Sequence, residues 1–465
     1  MRNLRTCSAT KREPLSQIHR VLFFLFIMSA LSASASFAGT AGSRWDLTVG
    51  GYVKYELDYR NSGRHGFGNV ESLADKYGTL YTSSTGTRLN FLSRGPDAWD
   101  ARTYAFVEGD FVGTFAGSGR GTFALRHAFM SLDWANTRLV VGHTFQKWGF
   151  LPSYANMIVS GQDLSPFIKG FRQPMVRIER KFRRDWNLSF AVMSPTNTLG
   201  SNRRFISEGV DSFTLSGMPF YELSLGWSTD SLGKVGAWKT ILSLEGFYGR
   251  EKQVVTLFTG PSASPTSLSY GDKDVNSWGL SFKGFIPVIP ESQGSKAGAL
   301  SLSGVLFTAQ NPSWLQSRTY AVSSYSRPRG TSPAAPQPAT DPLPDFVAPR
   351  MYGLWGQITY FLTDSLFVNG WYGYLRNDLG KDFTGALSPS GARFIHANTP
   401  QNVTQYIVSL CYDLNQAVRF GAEYAYFVSR YANYGTVTSG GTVIPNGLSK
   451  DATQQAFRVG GWYFF

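Results

Sequence analysis

Phe457-Arg458-Val459-Gly460-Gly461-Trp462-Tyr463-Phe464-Phe465 closes the chain. Phe457, Val459, Tyr463 and Phe465 share one face at a period of two, with Gly461 between them, and the last residue is an aromatic ring. An apolar strand left at the edge of a soluble sheet invites pairing with other chains. In a closed barrel that crosses a bilayer the same strand pairs on both sides, turns its apolar face to lipid and ends among interfacial aromatics. If that reading holds, the rest of the chain must alternate in the same way.

The opening of the chain fits export. Arg2, Arg5, Lys11, Arg12 and Arg20 form a basic head, residues 21–28 an apolar core, and Ser36-Phe37-Ala38 a small-residue cleavage site. We therefore expect residues 1–38 to be a signal peptide and 39–465 to be one domain. The apolar core is shorter than the roughly 20 residues of a membrane helix, and no later stretch reaches about 18 uninterrupted apolar residues. Aromatic residues make up 15% of the sequence and there are 49 glycines. Without the leader, 39 basic residues face 30 acidic ones, a balance of +9. Such a balance suits anionic lipid or an anionic solute, and an exported strand-rich chain makes nucleic acid a poor partner. Beyond the leader only Cys411 remains, so no intramolecular disulfide and no Cys-based metal site is expected.

Trp45 to Asp58 sets the pattern for the interior of the chain. Odd positions read Trp, Leu, Val, Gly, Val, Tyr, Leu, and even ones Asp, Thr, Gly, Tyr, Lys, Glu, Asp. One face suits lipid and the other water. Further strands are expected near 85–93, 100–111, 122–133, 137–145, 174–182, 186–194, 220–228 and 238–249. The remainder lie near 275–286, 299–309, 351–361, 366–375, 402–413, 417–429 and 455–465, making sixteen antiparallel strands of an all-β transmembrane barrel. Phe106 shares a face with Arg102 and Asp110, and Phe247 with Glu245, so each is either a lumen-side aromatic or the mark of a bulge. Long connections (about 59–84, 112–121, 146–173, 195–219, 250–274, 310–350, 376–401 and 430–454) alternate with short ones (about 94–99, 134–136, 183–185, 229–237, 287–298, 362–365 and 414–416). That is the arrangement of short periplasmic turns and long extracellular loops. The 310–350 loop carries a Pro-rich low-complexity stretch, Pro328 to Pro349.

Several motifs carry a family resemblance. Thr87-Arg88-Leu89-Asn90-Phe91, Gly95-Pro96 and Ala105-Phe106-Val107-Glu108-Gly109-Asp110-Phe111 resemble the second-to-third-strand signature of Gram-negative porins. Leu125-Arg126-His127-Ala128-Phe129 with Leu139-Val140-Val141-Gly142-His143 resembles the next hairpin, and Arg172-Gln173-Pro174 is similar to the DcaP-like porins, a branch associated with dicarboxylates. The terminal strand, with Phe465 last and Tyr463 two before it, looks like the assembly signal read by the barrel assembly machinery. Members of the DcaP-like branch can carry an N-terminal coiled coil, whereas here six residues separate Ala38 from the first strand. The resemblance implies a homotrimer in the outer membrane of a Gram-negative bacterium, among outer-membrane lipid and lipopolysaccharide. It also implies a third outside loop, here about 146–173, folded into the lumen as a constriction.

On that layout the loop contributes Lys147, Asp163, Lys169 and Arg172, and the facing wall Arg88, Arg102 and Arg126, with Arg177 and Lys181 on the sixth strand around Glu179. Basic residues on both sides of a narrow wet pore favour anions. The expected function is a diffusion channel for small hydrophilic solutes, preferring anions such as mono- or dicarboxylates. The competing reading is a surface-interaction barrel (adhesin, receptor or anchor) with a closed lumen. A further possibility, pairing of these arginines with Glu108, Asp110 and Glu179 to hold the wall, stays open. The histidines lack metal-ligand spacing and no Ser–His pairing suggests itself, so neither a metal, a cofactor nor an enzyme activity is expected.

Overall fold

The computed structural model describes residues 46–61, 77–111, 121–149, 172–194, 216–259, 267–310, 350–378, 400–431, 436–439, 442–445 and 451–465. The expected signal peptide, residues 1–38, the Pro-rich stretch Pro328 to Pro349, Asp163 and Lys169 lie outside them.

The first strands are β1 (Asp46–Arg60), β2 (Thr79–Ser83), β3 (Arg88–Arg94), β4 (Arg102–Asp110), β5 (Ala124–Asp133) and β6 (Thr137–Phe145). Next come β7 (Arg172–Phe182), β8 (Trp186–Met193), β9 (Phe220–Val235), β10 (Trp238–Thr259), β11 (Ser267–Ile289) and β12 (Leu300–Gln310). β13 (Arg350–Phe361), β14 (Leu366–Asp378), β15 (Pro400–Asp413) and β16 (Val418–Tyr431) follow. A small hairpin, β17 (Thr436–Ser439) and β18 (Thr442–Pro445), stands apart, and β19 (Asp451–Phe464) completes the chain.

From β3 to β16 each strand pairs antiparallel with the next, β1 pairs with β2 and β3, and β19 pairs with both β16 and β1. The sheet is therefore closed. β2 and β3 lie end to end on β1, so the 17 segments of the sheet form sixteen barrel strands. Closure leaves no edge, which is how strands satisfy every backbone group in lipid. The last residue takes part: Gly51 N donates to Phe465 O at 3.0 Å, and Phe465 N donates to Gly51 O at 3.2 Å.

The terminal strand points as its alternation requires. Phe457, Val459, Tyr463 and Phe465 are exposed on the outside while Ala456, Arg458 and Trp462 are buried within. β1 obeys the same rule, with Val53, Tyr55 and Tyr59 outward and Lys54, Glu56, Asp58 and Arg60 inward. Outward aromatics gather near the two ends of the wall: Trp99, Phe182, Trp186, Tyr412 and Tyr463 at one, Tyr59, Tyr81, Phe123, Tyr248 and Tyr352 at the other. Two aromatic rings around an apolar band are what a bilayer interface selects.

Several expected boundaries move. The second strand is not one run over 85–93, because the register on β1 jumps from Glu56↔Ser83 to Tyr52↔Arg88 and so inserts one extra residue. Thr87 Oγ1 fills the break by accepting from Lys54 N at 3.2 Å. The 250–274 connection is mostly strand, since β10 and β11 stay in register out to Thr259↔Ser267. Such a ladder beyond the lipid band needs no apolar face, so alternation cannot reveal it. β9 likewise runs to Val235 with a bulge at Lys239/Thr240, and the 430–454 connection contains β17 and β18.

The interior corrects a larger expectation. A uniformly polar inner face is absent. Met175, Phe220, Phe247, Phe307, Trp355, Trp371 and Phe427 are buried inside together with Trp148. Trp355 and Trp371 stack at 4.3 Å and 18°. A period of two says which side chains share a face and not which face is inside. On β13 both faces are apolar, with Met351 and Trp355 inward and Tyr352 and Ile358 outward. Polar residues occupy the rest of the interior. On β1, β16 and β19 three cations and three carboxylates interlock: Lys54–Glu56 2.8 Å, Arg60–Asp58 2.6 Å, Arg458–Asp58 3.3 Å and Arg458–Glu423 2.8 Å. Each charge has an opposite neighbour, the condition for keeping it away from water.

Candidate functional site

The wall made by β3 to β7 is low. Its strands run 7 to 11 residues, against 22 and 23 for β10 and β11. At its loop-side rim the chain collects arginines, and two bulges aim them.

The first bulge is the break between β2 and β3. Ser83 and Arg88 have opposite parity, yet both lie opposite inward residues of β1, Glu56 and Tyr52. The Arg88 guanidinium sits over the Tyr52 ring, 5.1 Å from its centroid, and its Nη1 is 3.4 Å from Glu108 Oε1. The second bulge lies in β5. Glu108 pairs with His127 and Gly109 with Leu125, so Arg126 has no partner in the ladder. A bulge re-aims a side chain. Arg126 consequently joins its neighbour His127 on the inner side, donating from Nε to Glu108 Oε1 at 2.9 Å and from Nη1 to Asp110 Oδ2.

Arg172, the first residue of β7, lies over the Phe145 ring at 5.1 Å. Its Nη1 is buried and meets no hydrogen-bond partner among the described residues. His127 Nδ1 is 3.0 Å from Thr144 Oγ1, and its ring packs 5.1 Å from Phe145 and 5.9 Å from Phe106. Phe106 is thus a lumen-side aromatic.

A second group surrounds the start of the third long connection. Glu179 takes Lys147 at 3.2 Å and Arg177 at 2.9 Å, and Arg177 Nη1 donates to Phe145 O at 2.7 Å. From Lys147 the chain crosses inward to strands on the other side of β7 and β8. Trp148 N donates to Glu222 Oε1 of β9 at 2.6 Å. Gly149 N donates to Ser281 Oγ of β11 at 3.0 Å and to Glu245 Oε2 of β10 at 3.2 Å. Lys283 Nζ, 2.6 Å from Glu245 Oε1, donates to Lys147 O at 3.0 Å. Phe247 is also lumen-side, and the Trp148 indole fits between it and Phe307. Residues 146–149 therefore enter the barrel.

Of the sequence-predicted residues, the structure gathers Arg88, Arg126 and Arg172 into one group and Lys147 and Arg177 into its neighbour. With Lys283, six cations stand against five carboxylates, Glu108, Asp110, Glu179, Glu222 and Glu245. Arg102 is elsewhere: it opens β4 at the turn end, opposite Asp133. Glu222, Glu245, Ser281 and Lys283 were not foreseen as holders of the loop. The one sequence signal was Glu245 on the same face as Phe247, an acid without an obvious partner.

No protein-family model matches the chain, and no curated protein matches it in sequence. Solved structures do match in shape. The outer membrane channel DcaP of Acinetobacter baumannii superposes with a TM-score of 0.61 at 16% identity, over 93% of this chain and 100% of that one. The anion-selective porin from Comamonas acidovorans gives 0.53 at 11% identity, over 90% and 100%. The likeness is one of fold, and the fold is the porin barrel.

Proposed function

We propose that this chain, once residues 1–38 are removed, is an outer-membrane diffusion channel of a Gram-negative bacterium. Its solutes are small and hydrophilic, with anions such as mono- or dicarboxylates preferred. The observation that carries the preference is the excess of cations in the rim group, where Arg88, Arg126 and Arg172 share two carboxylates, Glu108 and Asp110, and the buried Nη1 of Arg172 meets no hydrogen-bond partner among the described residues. A charge about 4 Å from a solute carboxylate contributes roughly 1 kcal/mol in bulk-like water and about 4 at an effective dielectric near 20. Because about 1.4 kcal/mol is a factor of ten, one guanidinium in excess of the carboxylates biases passage. Glu108 and Asp110 hold Arg88 and Arg126 in place, so support of the wall and presentation of charge are one arrangement.

The inward course of residues 146–149 supports the reading of 146–173 as a constriction loop. The chemistry asked of the site is permeation, not bond breaking. A homotrimer, delivered by the barrel assembly machinery into lipid and lipopolysaccharide, is the assembly that goes with this reading.

One observation favours the competing reading of a closed barrel that presents loops: the buried apolar residues of the inner wall, Trp355 and Trp371 among them. Single-channel recording of the purified protein in a planar bilayer under asymmetric salt decides between the two. Discrete steps with an anion-selective reversal potential support the channel. Absence of steps supports the closed barrel, and cation selectivity removes the anion preference.

A further inference from the structure

On the outer face of β7 the residues run Val176, Ile178, Arg180, Phe182, all exposed, so a guanidinium interrupts an apolar row. The register sets Arg180 between Thr137 of β6 and exposed Leu188 of β8. Its Nη1 donates to Thr137 Oγ1 at 2.6 Å, a neutral partner that leaves the charge uncompensated. Three other cations at this end have carboxylates: Arg94 with Asp46 at 2.8 Å, Arg138 with Asp133 at 2.7 Å, Lys234 with Glu291 at 3.3 Å. For Arg180 there is none among the described residues.

Two residues nearer the turn, Phe182 and Trp186 stack face to face on the outside, 6.3 Å apart at 21°. Aromatic pairs of this kind lie at headgroup level, so Arg180 sits just on the membrane side of that level. Arg183 and Arg184 follow, exposed in the turn, with Arg184 reaching Asp230 at 3.5 Å. Lys181 faces the lumen mouth. Asp185 and Asp230 are the acids of this corner, outnumbered by four cations. A long cationic side chain near the end of a lipid-facing wall reaches to the interface, where a guanidinium fork matches phosphate oxygens.

We propose that Arg180, with Arg183 and Arg184 on its water side, holds the phosphodiester headgroup of an anionic phospholipid in the leaflet at the turn end. The inference rests on the reading of the barrel as membrane-spanning and is independent of its selectivity. The test is native mass spectrometry of the detergent-extracted protein titrated with phosphatidylglycerol or phosphatidylcholine. Wild type should retain phosphatidylglycerol in preference, and Arg180→Gln should cut that retention about fivefold, the weight of one basic residue near an anionic surface. Arg94→Gln, the same charge change on a paired arginine, should leave it intact. Arg183→Gln should also lower it and decides the matter if Arg180→Gln fails to fold. Equal retention of both lipids, an unaffected Arg180→Gln protein, or full competition by inorganic phosphate overturns the proposal. So does a change of oligomer mass in Arg180→Gln without loss of lipid, which would assign the face to a second copy. A wild type without anion-selective steps in the bilayer would defeat the channel reading and leave this one standing.

Discussion

Trp148 lies edge-on against Phe247, ring centroids 4.9 Å apart at 82°, although β7, β8 and β9 separate the strand that Trp148 follows, β6, from the one that carries Phe247, β10. The contact turns the segment after β6 into the lumen and seats it on β10. Trp148 is fully buried, so Trp148→Ala removes packing of the kind that contributes about 3–5 kcal/mol in a core. With the root of the loop loosened, single-channel steps should become larger and noisier than in wild type. Steps of unchanged size would show that this segment does not limit the pore.

Arg88 and Arg126 share the Glu108 carboxylate. Replacing both by Gln leaves Glu108 and Asp110 with Arg172 as the remaining guanidinium of the group. The reversal potential in a salt gradient should then move toward cations by tenfold or more in permeability ratio, given about 1–4 kcal/mol per charge. Arg102→Gln serves as the comparison. It lies at the turn end opposite Asp133, so a much smaller shift is expected. Equal shifts for the two proteins would place the selective region at the mouth.

At the seam of the barrel, Gly51 has φ +152°, and a Cβ there would stand 2.2 Å from Arg88 O. Gly51→Ala meets both a disfavoured backbone angle and the neighbouring strand, a cost above about 1 kcal/mol. The same residue bonds Phe465 in both directions. The substituted protein should refold into vesicles with a lower yield of the heat-modifiable form and a lower urea midpoint. A wild-type midpoint would mean that β3 yields without cost.

Two turns at the short-connection end are tied by one carboxylate. Asp364 Oδ1 accepts from Ser295 Oγ at 2.8 Å, from Lys296 N at 2.6 Å and from Ala297 N at 3.3 Å. The bond from Ser295, followed by those from the two backbone amides, holds its carboxyl below the usual range. A depressed carboxyl contributes stability above its unfolded pKa, and that contribution fades as pH falls through the folded value. The guanidinium midpoints of wild type and Asp364→Ala should therefore differ at pH 6 and converge once the pH drops below the ordinary carboxylate range. A gap that persists in acid would assign the effect to something other than the ionised carboxylate.

Much of the barrel could be read in the chain because lipid outside a wall imposes a period of two over about ten residues at a time. β1 and β19 show it plainly, and their outward and inward residues are those that alternation assigns. β2, the outer halves of β10 and β11, and the β17–β18 hairpin escaped the same reading. They are held by backbone pairing where no apolar face is demanded.

At the rim, the residue types were legible and their grouping was not. Arg88, Arg126, Arg172 and Arg177 stand out as cations among strand residues and Lys147 as one just beyond β6, but a regular alternation would not turn both Arg126 and His127 inward. One unpaired residue in β5 does so, and one extra residue between β2 and β3 does the same for Arg88. Sequence by itself determined that the chain forms a closed antiparallel barrel with a lipid-facing apolar side, because that follows from local alternation. Tertiary structure alone decided which cations share a carboxylate, which apolar residues fill the inside, and where Trp148 comes to rest. Those contacts join strands far apart in the chain, and their register is a property of the closed sheet.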